Sequence, residues 1–150
     1  MRVRILPAAI ITAFMALYAV LLPAYAETGK RDLTVMVYMA GSDLESRSGS
    51  ASRDLKEMMS AVPEGGAVTV VVLTGGSENW ACGIAADQND IWLVRPGALE
   101  PVGKTETKNM GAAETLSDFL AQSAGLFPAE RYALILWDHG GGPLWGYGCD

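Results

Sequence analysis

Leu33-Thr34-Val35-Met36-Val37-Tyr38-Met39 is an unbroken apolar, partly β-branched run. A half-buried strand alternates apolar and polar residues. A run with no alternation reads instead as a strand covered on both faces, as in a parallel sheet. Ala40-Gly41-Ser42-Asp43 ends the run. Leu55, Met58, Met59 and Val62 then recur at helical spacing, and Pro63 with Gly65 and Gly66 stops that helix. Val68-Thr69-Val70-Val71-Val72-Leu73 is a second buried strand, closed by Gly75-Gly76. Exposed, it would be an aggregation-prone window, which places it inside the sheet. Two such strands joined by a helix make a βαβ unit, right-handed by the general rule.

The next segments differ. Ile91-Trp92-Leu93-Val94 and Leu99-Glu100-Pro101-Val102 flank Arg95-Pro96-Gly97 and predict a ribbon, with Pro101 confining the second run to an edge. Asn109 is a candidate cap for a second helix, whose apolar stripe is Leu116, Phe119, Leu120 and Ala124 and whose stop is Gly125. Tyr132-Ala133-Leu134-Ile135-Leu136-Trp137 predicts a third buried strand. The pattern adds up to a small α/β sheet of three parallel strands and one ribbon, unfinished at an edge. The chain stops soon after the polar turn Asp138-His139-Gly140-Gly141-Gly142-Pro143, so it is expected to be the N-terminal part of a longer protein.

Ahead of the first strand, Arg2 and Arg4 precede an uncharged apolar run from Ile5 to Leu22, and Ala24-Tyr25-Ala26 supplies small residues where a signal peptidase cuts. Residues 1–26 read as a secretory signal peptide, residues 27–32 as a polar lead and residues 33–150 as the folded part. The competing reading is an uncleaved anchor, since the run nearly spans a bilayer; Pro23 and the Ala-x-Ala step favour cleavage. No later segment could span a membrane. The whole chain has 150 residues, with 11 Lys and Arg against 17 Asp and Glu for a net charge of −6. Loss of Arg2 and Arg4 with the leader makes it more acidic still. Such a charge argues against nucleic-acid binding, which needs a basic face. Two cysteines form one bridge at most, so a disulfide-built miniprotein is excluded.

Chemistry in an open parallel sheet sits beyond the carboxyl ends of the strands. Three loops reach that edge: residues 40–43, 74–77 and 138–142. Only the last carries an imidazole, His139, the one histidine of the chain. A His leaving a strand into a glycine turn is placed for proton transfer, and the glycines let backbone N–H groups approach a substrate oxygen. The bland reading of His139 is a surface histidine beside a flexible turn; its position at the strand end favours function. Asp138 either orients His139 or caps the turn, and capping is preferred because adjacent side chains leaving a strand point opposite ways.

Four stretches together resemble the clostripain family of cysteine peptidases: Thr34 to Glu45, Asp54 to Met59, Asn109-Met110-Gly111, and Leu134 to Gly142. The resemblance runs from about Leu33 to the end. It implies a caspase-like three-layer α/β/α sandwich with a mostly parallel sheet, incomplete here at the carboxyl end. It implies a secreted endopeptidase that cleaves peptide and protein substrates after basic residues, Arg preferred, through a His–Cys dyad. His139 matches the catalytic His, and the Gly140 N–H would serve the oxyanion. The nucleophilic Cys of the family lies on the next core strand, which this chain does not reach. The chain alone is therefore expected to be inactive. Cys149, in a loop after Tyr147-Gly148, and Cys82 do not match the nucleophile's context; a Cys82–Cys149 bridge is permitted by an oxidising location. Several family members are calcium-activated, so calcium is the one cofactor the resemblance suggests.

Two rivals from other classes remain. An exported α/β-hydrolase-type esterase would use His139-Gly140-Gly141-Gly142 as its oxyanion turn, but needs a G-x-S-x-G elbow and leaves Thr34 to Glu45 unexplained. A non-catalytic adhesion module of von Willebrand type would need serines where Glu45 and Arg47 follow Asp43. Asp43, Glu45, Asp87 and Asp90 offer oxygens for a cation, but no loop has a calcium-site spacing, and solvated loops are the expected reading. Trp80, Trp92, Trp137 and Trp145 read as core and rim packing rather than as a carbohydrate platform.

Overall fold

The computed structural model describes residues 31–140 and residue 146. Its elements are β1 (Arg31–Ala40), α1 (Ser42–Ser46), α2 (Ser50–Ala61), β2 (Val68–Gly75), β3 (Asn89–Arg95), β4 (Ala98–Thr105), α3 (Ala113–Leu126) and β5 (Ala129–Trp137). They form one five-stranded sheet in the order β4-β3-β2-β1-β5. β1 runs parallel to both β2 and β5, whereas β3 and β4 are antiparallel to their neighbours. The expected three parallel strands and ribbon are therefore present.

Successive strand residues point to opposite faces, and the two faces fill separately. Met36, Tyr38, Val71, Leu73, Ile91 and Leu93 pack with Phe119 of α3. Val37, Met39, Val72 and Val94 pack with Ala51 and Leu55 of α2. The result is three layers: α2, sheet, α3. β1 is covered on both sides, which is why its sequence shows no alternation; Met36 through Ala40 are all buried.

The ribbon turns at Pro96-Gly97, between the paired residues Arg95 and Ala98. Proline followed by a glycine at φ 74° is the type II turn signature. The Gly97 N–H donates to the Met59 carbonyl at 3.0 Å and ties the turn to α2. Pro101 lies on the edge strand β4, as its missing donor requires. β2 is interior, as its aggregation-prone sequence demands.

Three expectations need correction. The run Tyr132–Trp137 is not a buried strand. Among the described residues β5 is the outermost strand on its side of the sheet, and Tyr132, Leu134, Ile135 and Leu136 are 43–47% exposed. Apolarity made it read as covered, but coverage depends on neighbours, and among the described residues it has a strand on one side only. Asn109 does not cap α3, whose N-cap is Ala112. It instead closes a local turn, its Oδ1 accepting the Gly111 N–H at 2.7 Å and its carbonyl accepting the Thr115 hydroxyl at 2.8 Å. Gly125 lies inside α3, which continues to Leu126.

The signal-peptide region, Trp145 and Cys149 lie outside the described residues. Among the described residues no helix is long and apolar enough to cross a membrane.

Candidate active site

β1 continues to β2, β3 and β4 on one side, and the chain then returns through α3 to place β5 on the other. The strand order reverses between β1 and β5. A crevice opens at such a reversal beyond the carboxyl ends of the strands. The loops after β1, β2 and β5 all meet there.

Backbone and hydroxyl bonds stitch these loops together. The Gly41 and Ser42 N–H groups donate to the Gly75 and Gly76 carbonyls at 2.8 and 3.0 Å. The Ser77 hydroxyl donates to the Ser42 carbonyl at 3.1 Å. Gly41 must be small, because a Cβ there would sit 2.8 Å from Ser77 Cβ and 3.0 Å from the Trp80 ring. The Ser42 hydroxyl donates to Asp138 Oδ1 at 2.8 Å, across 96 residues of sequence.

His139 stands at the end of β5 with its side chain 43% exposed. Its backbone N–H donates to Asp138 Oδ1 at 2.7 Å. Asp138 thus caps the turn, as preferred above, and the carboxylate on the ring is a different one. His139 Nε2 lies 2.6 Å from Asp43 Oδ1. Asp43 Oδ2 is 3.1 Å from Arg47 Nη1, one turn along α1. The His139 hydrogen bond, with Arg47 adding to it, holds the Asp43 carboxyl below its ordinary range. Gly140 is exposed, and a Cβ there would meet nothing within 4 Å, so its backbone is approachable.

Sequence reasoning did not connect Asp43 to His139 or Glu45 to its donors, reading both as loop solvation. Glu45 is 1% exposed. It accepts the Ser52 and Ala81 N–H groups, each at 2.8 Å, and the Ser52 hydroxyl at 2.5 Å. It joins α1, α2 and the loop after β2 beneath the site. The signal available in sequence was an acid in a stretch otherwise apolar or small, but its partners lie up to 36 residues away.

Calcium does not fit these carboxylates. Asp43 is engaged by His139 and Arg47, and Glu45 by donors from Ser52 and Ala81. Asp90 is buried with Oδ1 unpartnered among the described residues, yet no group of three His, Cys, Asp or Glu residues converges among them. Cys82 is a free, half-buried thiol packed in the α2-side core. Its N–H donates to Ser52 Oγ at 3.1 Å. Trp80 is buried; Trp92 and Trp137 donate to Thr74 Oγ1 at 2.9 Å and to Asp54 Oδ2 at 2.7 Å, in the packing roles expected.

A cavity of about 590 Å³ opens on the α3 side of the same sheet edge, between Tyr38 and Ala40 of β1, Leu136 and Asp138 of β5, and Asn109 and Met110 before α3. Its size is that of a pocket for a small ligand or a large side chain. The Tyr38 hydroxyl donates to the Met110 carbonyl at 2.8 Å and steadies its floor. Burial pushes the Tyr38 phenol up, so it stays a donor.

A model of the clostripain family matches residues 37–146. Among solved structures, a B. fragilis cysteine protease is similar at 18% identity and TM-score 0.60, over 79% of this chain and 98% of that one. A secreted C11 cysteine protease from Bacteroides thetaiotaomicron, in complex with an irreversible peptide inhibitor, is similar at 21% identity and TM-score 0.56. That match covers 73% of this chain but 29% of the other, so the chain spans less than a third of that protease. A clostripain from Bacteroides thetaiotaomicron, in complex with the peptide inhibitor BTN-VLTK-AOMK, is similar at 16% identity and TM-score 0.57, over 77% and 97% of the two chains. No curated protein matches. At these identities the structures speak for the fold, and the fold is the caspase-like α/β arrangement expected.

Proposed function

The chain belongs to the clostripain family, and from that membership we propose that it is the His-bearing part of an exported cysteine endopeptidase that cleaves after basic residues, Arg preferred. The observation that carries the reading is the placement of His139, held by a carboxylate where the strand order reverses.

In the proposed reaction a cysteine thiolate, supplied from outside the described residues, bonds to the scissile carbonyl carbon. The carbonyl oxygen becomes an oxyanion and is met by the Gly140 N–H; such a donor is worth about 3 kcal/mol in the transition state. The C–N bond then breaks, and the leaving amine takes its proton from the His139 imidazolium. A water that gives a proton back to His139 hydrolyses the thioester and returns the thiolate.

Solved relatives described as cysteine proteases with peptide inhibitors bound support a peptide substrate. Preference for a basic side chain is supported by the cavity wall. Among the described residues Glu78 and Asp138 line it against one cation, Lys108, which is itself paired with Asp118 at 2.6 Å. Export is supported by the pattern of residues 1–26 and by a relative described as secreted. Cleavage after Ala26 should give a product whose N-terminal sequence begins at Glu27; Met1 retained on a membrane-bound form would refute it. Family membership favours this reading over the esterase and the adhesion module.

The test is kcat/KM on an Arg-P1 peptide for the complete protein. His139→Ala should lower kcat about 10²–10⁴-fold with a native circular dichroism spectrum. A folded variant of near-wild-type activity would remove His139 from the mechanism. Residues 27–150 expressed alone should show no turnover; turnover abolished by Cys149→Ala would instead make Cys149 the nucleophile.

A further inference from the structure

Ser42 is the one non-glycine among the described residues with positive φ, 46°. A side chain in the left-handed region is strained and persists only where its surroundings hold it. Here they do. The Ser42 N–H donates to the Gly76 carbonyl at 3.0 Å, its carbonyl accepts the Ser77 hydroxyl at 3.1 Å, and its own hydroxyl donates to Asp138 Oδ1 at 2.8 Å. The same Asp138 oxygen accepts the His139 N–H at 2.7 Å. One carboxylate oxygen therefore ties the residue before Asp43 to the residue that bears the imidazole. Asp43, next in sequence, then reaches His139 Nε2 at 2.6 Å.

We propose that Asp43 is the positioning residue of His139, aimed by the strained Ser42, and that the working unit is Asp43–His139–thiol rather than a His–Cys pair. The inference rests on the catalytic role of His139 proposed above. In the neutral ring a proton on Nε2 is donated to the carboxylate and the lone pair lies on Nδ1. Nδ1 is then the nitrogen that takes the thiol's proton and later delivers it to the amine. Once both nitrogens are protonated, the Asp43 charge stabilises the imidazolium and so the thiolate–imidazolium pair.

Among the described residues the charged groups around the ring are Asp43, Arg47, Asp138 and Glu78. α1 contributes Asp43 and Arg47, with Glu45 turned away onto Ser52 and Ala81. The end of β5 contributes Asp138, and the loop after β2 contributes Glu78 on the cavity wall. Of these, Asp43 is the carboxylate bonded to the imidazole.

The experiment has two arms on the complete protein. In the first, ¹⁵N-histidine resonances give the tautomer of the His139 ring, assigned by its loss in His139→Ala. At a pH above the alkaline limb, where the ring is neutral, wild type should carry its proton on Nε2, and Asp43→Asn should weaken that preference. In the second, Asp43→Asn should lower kcat about tenfold to a hundredfold, the range for lost orienting partners, with KM within about twofold. The alkaline limb of kcat/KM should move to lower pH, because the imidazolium loses its carboxylate. Asp43→Glu should restore part of the rate. An Nδ1–H tautomer in wild type, which needs no variant to fold, would overturn the proposal. So would an Asp43→Asn enzyme with wild-type kcat and an unmoved limb while His139→Ala is inactive. Near-wild-type activity in His139→Ala would fell the underlying reading and this one with it.

Discussion

Glu45 shows how much one buried acid organises. Burial pushes its carboxyl up, but the Ser52 hydroxyl and the N–H groups of Ser52, Ala81 and Ala51 outweigh that and hold it below its ordinary value of 4.5. Stability from these bonds is complete above the unfolded pKa and is lost as pH falls through the folded one. Urea unfolding should therefore show wild type weakening as pH drops below about 4.5, with a flatter profile in Glu45→Gln. At neutral pH that variant should be about 1–3 kcal/mol less stable, because an amide N–H₂ would face N–H donors. Equal slopes for the two proteins would remove Glu45 from the acid response. At this scale the sequence was legible for residue type and opaque for partnership. His139 stood out as the one imidazole at a strand end. Asp43 and Glu45 looked like solvated loop acids, because Asp43 meets His139 across 96 residues and Glu45 meets Ala81 across 36.

Elements whose burial follows a period were readable. β1, β2 and α2 appeared within a few residues of their observed bounds, since unbroken or helical apolar spacing reports a covered face directly. α1 was not, being five residues long, with no apolar stripe and a left-handed Ser42 at its start. β5 was readable as a strand but not as the outermost one among the described residues. Packing energetics follow the same division. Leu55 of α2 is fully buried against the sheet, so Leu55→Ala should cost about 2–5 kcal/mol in chemical denaturation. A cost below about 1 kcal/mol would mean that α2 does not pack where described. Gly41→Ala is a sharper probe of the loop crossing, because its Cβ would fall 2.8 Å from Ser77 Cβ. It should reduce activity more than thermal stability. A variant that loses its melting transition but not its rate would show the crossing to be mere scaffold.

For the molecule as a whole, the asymmetry of the sheet matters most. Among the described residues one margin, β4, carries Pro101, while the other, β5, presents Leu134, Ile135 and Leu136 at 43–46% exposure. Apolar edges invite pairing with another chain. In the 150-residue chain, Leu134→Lys with Ile135→Lys should reduce concentration-dependent association in sedimentation and the binding of a hydrophobic dye, with little change in melting temperature. Unchanged association would show that the margin is already covered. The sheet order also has a consequence in time. β1 emerges early, yet its second neighbour is β5, and the site's own bonds, Ser42 to Asp138 and Asp43 to His139, each span 96 residues. Contacts of such separation form late, after the loop entropy of the intervening chain has been overcome. Pulse-labelled hydrogen exchange should find β1–β2 protected before β1–β5. The histidine would then meet its carboxylate only when the rest of the sheet has set. A nascent chain would carry Ser42, Asp43, Asp138 and His139 with none of them aligned, so that folding itself is the clock that assembles the candidate site.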